Sequence, residues 1–235
     1  MKVIGLMSGT SGDGIDAVLV DIRGRDDSLA VKMLAHLARP YSRALQQRIL
    51  DASLKGTVAD VCHLNALLGE LFAQAALRIV ARAGFKPSDV ALIGSHGQTI
   101  HHLPVAVREA GAGLIRSTLQ IAEPAVIAER TGITTIADFR SRDMAAGGEG
   151  APLAPYAHYV LLRHPRRSRL IVNLGGISNV TYLRKQGGPD AVAAFDTGPA
   201  NMVLDALMQR LSEGRMPFDR GGKQAAKGTV HPELL

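Results

Sequence analysis

The stretch GLMSGTSGDGID, residues 5–16, lies between two apolar runs at residues 3–7 and 15–22. The polar segment is too short for a helix, so it predicts a β-hairpin with its turn at residues 8–14. Glycines let backbone N–H groups approach a phosphate closely, and the serine and threonine hydroxyls add donors. A plain glycine-rich turn is the alternative. The segment is not a P-loop, because no Gly-Lys-Ser/Thr sequence follows.

A second stretch, RLIVNLGGISNVTYLR at residues 169–184, repeats the order of apolar strand, glycine-rich turn and strand. Two such hairpins predict a duplicated, two-lobed fold in which a cleft separates the halves. The first lobe spans residues 1–167 and the second residues 168–235. Since 68 residues are too few for a complete partner lobe, we interpret the second lobe as incomplete and the chain as C-terminally truncated.

Helical and apolar patterns alternate along the chain, which predicts an α/β fold with a mixed sheet. Apolar spacings of three and four predict helices at residues 42–54, 58–84, 123–132, 154–164 and 198–211. Apolar runs predict further strands at residues 30–41, 90–97, 118–122, 133–139 and 191–196.

Composition excludes several classes of protein. The chain has one cysteine, Cys62, inside a helical pattern, which predicts a buried thiol and no disulfide framework. No apolar run of about 18 residues indicates a membrane span, and no secretion signal opens the chain, so we expect a cytoplasmic protein. Aromatic residues make up only 4% and basic residues are scattered, which disfavours nucleic-acid binding. The net charge of +6 indicates a solvated basic surface or attraction for an anionic substrate.

Several polar residues follow predicted strands and are candidates for chemistry. Asp196, between an apolar strand and a helix, is placed as a general base, although an aspartate there can also cap the helix; Thr197 is the better cap. The polar loop at residues 136–155 contains Arg140 and Arg142, suited to binding a carboxylate or phosphate, or to surface ion pairs. His96 and Gln98 are placed to hydrogen-bond a polar substrate.

Five motifs in order resemble those of the anhydro-N-acetylmuramic acid kinases, a family of the sugar kinase, heat-shock 70 and actin superfamily. They are GLMSGTSGDGID, IGSHGQTI, ADFRSRDMAAGGEGAPLAP, NLGGISNVTYL and FDTGPANMVLD, and they span nearly the whole chain. The resemblance implies an actin-like, ribonuclease-H-like two-lobed ATPase fold. It also implies ATP-dependent phosphorylation of 1,6-anhydro-N-acetylmuramic acid with simultaneous hydrolytic opening of the anhydro ring, which gives N-acetylmuramic acid 6-phosphate and ADP in cell-wall recycling.

The resemblance assigns roles to particular positions. Asp196 matches the catalytic base that activates water. Its ATP phosphate segment matches Gly9, Thr10, Ser11, Gly12, Asp13, Gly14, Ile15 and Asp16. The second glycine turn, by its own pattern, adds Gly175 and Gly176 as phosphate-binding candidates. Arg142 matches an arginine of the sugar site, and the substrate-binding candidates are His96, Gln98, Arg142 and Asn201. The carboxylates of the loop, Asp13 or Asp16, could hold Mg²⁺, and Asp13 is the candidate ligand, directly or through water.

Some positions depart from the family pattern. Gly12 stands where leucine is usual, Ala122 and Glu123 replace Gly-Asp, and Ala200 replaces a glycine beside the proposed base. The expected partners are a sugar substrate and a nucleotide, without nucleic acid or membrane, and a homodimer is left open. Two alternatives are a kinase for another sugar acid and an impaired fragment that only binds ligand; the truncation predicts weak ATP binding and slow or absent turnover.

Overall fold

The computed structural model describes residues 1–9, 11–25 and 28–234. The chain forms two compact units, residues 1–153 and 154–235. The division lies before the boundary expected from sequence, between residues 167 and 168, because the helix at Ala154–Leu162 packs on strands of the second unit. His158 of that helix, for example, hydrogen-bonds Thr181 at 3.0 Å.

The first unit is built on a mixed sheet with the strand order β3-β2-β1-β4-β5, and β6 also pairs with β4. The strands are β1 (Lys2–Ser8), β2 (Gly14–Arg23), β3 (Ala30–Pro40), β4 (Leu92–Glu109), β5 (Gly113–Ile121) and β6 (Thr135–Ile136). β1 runs parallel to β4 and antiparallel to β2, with Met7 opposite Asp16 at the turn. The predicted opening hairpin and the mixed α/β architecture are therefore confirmed.

Two helices, α1 (Arg43–Lys55) and α2 (Val58–Arg82), cover one face of this sheet. Alternate residues of β1 and β2 meet them, so that Ile4, Leu6 and Ile15 are at most 2% exposed. Gly84, at φ 76°, follows α2 in the left-handed conformation that ends a helix, as expected. α3 (Pro124–Thr131) begins at its proline and stops at Gly132, also as expected.

Three expectations about the first unit are wrong. β4 continues to Glu109 and forms a hairpin with β5, so His96 and Gln98 lie within the strand and not after it. Cys62 is exposed, because the buried stripe of α2 begins at Leu64, about 200° further around the helix. The polar segment at residues 136–155 contains a helix, α4 (Phe139–Ala145).

By length and hydropathy α2 resembles a membrane-spanning helix. Half of its most apolar 18-residue window is buried within the protein, however. Phe72 and Ile79 of this helix belong to the hydrophobic core, as expected for the core helix of a globular unit.

The second unit contains a three-stranded antiparallel sheet with two helices. The strands are β7 (Arg169–Leu174), β8 (Ile177–Leu183) and β9 (Val192–Pro199), and the helices are α5 (Ala154–Leu162) and α6 (Asn201–Leu211). The predicted glycine hairpin and both predicted helices are present. One face of the sheet exposes large apolar side chains, among them Leu170, Val172 and Phe195.

Candidate functional site

The loop between β1 and β2 places free backbone donors beside an exposed carboxylate. Gly12, at φ 57°, turns the chain, and its N–H donates to the Gly9 carbonyl at 3.0 Å. Within the described part of the chain, the N–H groups of Ser11 and Asp13 have no hydrogen-bond acceptor. The Asp13 side chain is exposed. Thr10 lies outside the described residues. Such a loop can bind an anion through its N–H groups.

A buried polar contact between Ser8 and Gln98 supports this loop on its inner side. Ser8 Oγ donates to the Gly14 carbonyl at 2.7 Å and lies against Oε1 of Gln98. Nε2 of Gln98 donates to the Gly9 carbonyl at 3.0 Å, and the Gln98 side chain is 1% exposed. The parallel pairing of β1 with β4 brings these residues together. Gln98 thus braces both ends of the loop from inside the protein.

β3 and α1 hold the other side of the loop. The N–H of Tyr41 donates to the Asp13 carbonyl at 2.8 Å, and Nε2 of Gln46 donates to the Ser11 carbonyl at 3.1 Å. Burial raises the pKa of the Tyr41 phenol to about 12, so its hydroxyl stays protonated beside Ser8. These contacts fix the loop carbonyls, while the N–H groups of Ser11 and Asp13 keep no partner among the residues that the structure describes.

The last two residues of the predicted phosphate segment lie in β2 on opposite faces of the sheet. Ile15 is 1% exposed and belongs to the core, so only its backbone can face a ligand. Asp16 faces away from the core, with its Oδ1 3.2 Å from Nε2 of His36. It borders a cavity of about 340 Å³ that His36, His96 and Phe139 also line.

His96 and Arg140 form a hydrogen-bonded pair beside this cavity. Nε of Arg140 donates to Nε2 of His96 at 2.9 Å, and Nδ1 of His96 lies 3.1 Å from the Gly97 carbonyl. This arrangement assigns the histidine proton to Nδ1 and keeps the ring neutral. Burial lowers the pKa of His96, and the Arg140 charge lowers it further. Burial likewise lowers the pKa of Arg140, whose Nη1 donates to the Gly150 carbonyl at 3.3 Å.

The two arginines of α4 differ in their surroundings. Arg140 is half-buried and has no carboxylate partner among the described residues. Arg142 is exposed, and its guanidinium makes no hydrogen bond within that same part of the chain. Asp143 stabilises the segment instead, because its Oδ2 accepts from the Gly150 N–H at 2.8 Å. Both guanidinium groups therefore remain able to bind an anion.

In the second unit, the start of α6 holds the glycine turn between β7 and β8. The Ala200 and Asn201 N–H groups donate to the Gly176 and Gly175 carbonyls at 2.9 and 3.0 Å. Nδ2 of Asn201 donates to the Leu174 carbonyl at 2.9 Å. The N–H groups of Gly175 and Gly176 have no acceptor among the described residues. Ala200 has a negative φ of −129°.

Asp196 lies in β9, and its side chain is exposed and has no hydrogen-bond partner in the described part of the chain. The capping alternative is wrong, because α6 begins five residues later and Ala200 occupies the cap position without a side-chain hydrogen bond. Thr197 does not cap the helix either, since its hydroxyl bonds Ser178. Strand register places Asn179 opposite Asp196, and Asn173 opposite Asn179. Sequence reasoning missed these two asparagines because only the strand pairing reveals them.

No group of three or more histidine, cysteine, aspartate or glutamate residues forms a metal site within residues 1–9, 11–25 and 28–234. Asp13 fits a different kind of site. Its carboxylate is exposed beside unpaired backbone donors, and Mg²⁺ often takes one carboxylate together with water and phosphate oxygens.

Comparisons with known proteins agree with the motifs. The family model "Anhydro-N-acetylmuramic acid kinase" matches residues 1–235. The anhydro-N-acetylmuramic acid kinase of Caldanaerobacter subterraneus subsp. tengcongensis is 53% identical over 99% of this chain and 59% of its own length. Those of Gloeobacter violaceus and Bacillus cereus are 51% and 45% identical, over 99% and 100% of this chain and 60% of each relative.

Similarity to solved structures is weaker. The Thermus thermophilus RuvC structure aligns with 71% of this chain and 85% of its own, at 13% identity and a TM-score of 0.29, which supports no conclusion. The chain spans about 60% of the length of the curated relatives it matches. Because the family model matches every residue from 1 to 235, the chain belongs to the anhydro-N-acetylmuramic acid kinase family.

Proposed function

We propose that the complete protein phosphorylates 1,6-anhydro-N-acetylmuramic acid with ATP and opens its anhydro ring with water in the same reaction. The observation that supports this most is the exposed carboxylate of Asp196, which has no hydrogen-bond partner among the described residues, in a chain that matches the family model throughout. A carboxylate free of structural partners is available to accept a proton from water.

The proposed reaction balances as follows. The water oxygen bonds to carbon 1 of the sugar while the bond between carbon 1 and oxygen 6 breaks. One water proton passes to the Asp196 carboxylate, and the other stays on the new hydroxyl at carbon 1. Oxygen 6 bonds to the γ-phosphorus as the bond to the β-phosphate oxygen breaks. N-acetylmuramic acid 6-phosphate and ADP are the products.

The two glycine turns would bind the ATP phosphates. The N–H groups of Ser11 and Asp13 in the first turn, and of Gly175 and Gly176 in the second, have no acceptor in the described part of the chain and are suitable donors. Asp13 would hold Mg²⁺ through water, and the bound ion would neutralise the charge of the phosphates. This assignment implies that the two units act as the two lobes of an actin-like ATPase, in the cytoplasm, where ATP is available.

The lactyl carboxylate of the sugar would bind the arginines of α4. The exposed guanidinium of Arg142 is free to reach a ligand, and that of Arg140 is held in place by His96 and Gly150. A fixed guanidinium suits a planar carboxylate, since a pair of parallel hydrogen bonds can form.

Turnover in ¹⁸O-labelled water tests the proposal. The complete protein, given Mg·ATP and 1,6-anhydro-N-acetylmuramic acid, should release a 6-phosphate that contains one ¹⁸O at carbon 1 by mass spectrometry. Asp196→Asn should abolish turnover while isothermal titration still detects sugar binding. Asp205→Asn, on α6 and outside the proposed site, is the matched control and should keep its activity. Unlabelled product, or full activity of Asp196→Asn, would contradict the proposal.

A further inference from the structure

Next to Asp196, the proposed base, β9 contains one residue more than the part of β8 that pairs with it. Ser178 pairs with Gly198, but the next residue, Asn179, pairs with Asp196. No residue of β8 therefore lies opposite Thr197 in the strand register, and Thr197 forms a β-bulge immediately after Asp196. Bulges bend a strand locally and redirect the side chains next to them.

Two features hold this bulge. Oγ1 of Thr197 donates to the Ser178 carbonyl at 3.2 Å and lies 2.9 Å from Ser178 Oγ, so that the two hydroxyls also hydrogen-bond. Gly198 has φ 127°, a conformation that residues with a side chain rarely adopt. The strand end beyond it is fixed by the hydrogen bond from the Ala200 N–H to the Gly176 carbonyl, 2.9 Å long.

The bulge determines which face of the sheet Asp196 occupies. With it, Asp196 lies on the face of Asn179 and Asn173. If the bulge were lost while the strand end stayed fixed, the strand would shift by one residue. Asp196 would then lie opposite Val180, on the face that exposes Val172 and Phe195. A shift of one residue moves every side chain to the opposite face.

We propose that Thr197 is a positioning residue for the reaction: its hydroxyl holds the bulge that keeps Asp196 on the face of Asn173 and Asn179. This inference rests on the proposed function, because it assumes that Asp196 is the base. The neutral amides of Asn179 and Asn173 lie in the same row as the carboxylate, and Asp196 forms no ion pair among the described residues that would compete with proton transfer. Misplacing a reacting group by about 1 Å can cost about 100-fold in rate.

Three variants of the complete protein test the inference. Thr197→Val keeps the shape of the side chain and removes the hydroxyl, and Thr197→Ser keeps the hydroxyl. Asp196→Asn is assayed beside them. We expect Thr197→Val to lower kcat at least about tenfold with the KM values for sugar and ATP nearly unchanged. Thr197→Ser should recover most of kcat. Since Thr197 is exposed, the melting temperatures should remain close to that of the original protein.

The outcomes separate this inference from the proposed function. If Asp196→Asn is inactive but Thr197→Val keeps its full kcat, the positioning role is wrong and the base assignment stands. If Thr197→Val and Thr197→Ser lose activity equally, or Thr197→Val loses activity together with melting temperature, the hydroxyl does not act by positioning the base. If Asp196→Asn stays active, the proposed function itself fails.

Discussion

The two glycine hairpins share a sequence pattern but differ in what supports them. The first turn connects Ser8 to Gly14, and a buried contact between Ser8 and Gln98 supports it beside a closed core. The second turn is shorter, between Leu174 and Ile177, and backbone N–H groups of α6 hold it. Leu6 beneath the first hairpin is 2% exposed, whereas Leu170 of the second is 61% exposed. Similar local sequence thus produces a glycine hairpin in each unit, while the length of the turn and the packing around it differ.

The largest effect should come from matched leucine truncations in the two hairpins. Leu6→Ala should lower the free energy of unfolding by about 2–5 kcal/mol, because it leaves a cavity in a closed core. Leu170→Ala removes a side chain that is already in water and should cost less than about 1 kcal/mol. Urea denaturation of this 235-residue chain measures both. Equal losses would show that the apolar face of the second sheet is covered in solution.

The side-chain hydrogen bonds that support the two turns provide the next comparison. Gln98→Leu leaves buried polar atoms of Ser8 and the Gly9 carbonyl with fewer partners, and should cost about 1–3 kcal/mol. Asn201→Ala removes one exposed hydrogen bond to the Leu174 carbonyl and should cost about 1 kcal/mol or less. Urea denaturation again gives both values. A larger loss for Asn201→Ala would mean that the second turn depends on its side-chain contact more than on the backbone of α6.

How much of the fold and of the candidate site could be predicted from the sequence depended on how far apart in the chain the interacting residues are. Alternation and helical spacing are local, and they predicted β1, β2, β3 and α2. The role of Gln98 depends on the register between β1 and β4, whose residues are 90 positions apart. The bulge at Thr197 and the Asn179–Asp196 pairing likewise need strand register. The extension of β4 was missed because Pro104 interrupts its outer half, which is mostly exposed and has no buried face.

Two positions with similar positive φ angles, one in each unit, predict smaller changes in stability, and the two changes have opposite signs. Ala122 has φ 111°, where the family usually has glycine, and Gly198 has φ 127°. Ala122→Gly should stabilise the first unit by about 1 kcal/mol, because relief of backbone strain exceeds the added freedom of the unfolded chain. Gly198→Ala should destabilise the second unit by a similar amount. Thermal unfolding measures both shifts, and destabilisation by Ala122→Gly would show that the Asn65 side chain, which accepts from the Ala122 N–H at 2.9 Å, relieves the strain.

The smallest effect concerns the pH dependence of stability. It belongs to the first unit, where Arg140 hydrogen-bonds His96. In the second unit, the row that contains Asp196 consists of Asn173, Asn179 and Asp196 and has no histidine. Burial and the Arg140 charge hold the pKa of His96 below the ordinary value of 6.5. Between the lowered and the ordinary pKa the unfolded chain binds more protons than the folded one, so the free energy of unfolding falls as pH drops below about 6.5. His96→Gln can still accept from Arg140 and should flatten this dependence in urea denaturation at several pH values. The slope that remains would come from His102, whose pKa burial and Arg140 also lower. An unchanged slope in His96→Gln would contradict a neutral, buried His96 as its source.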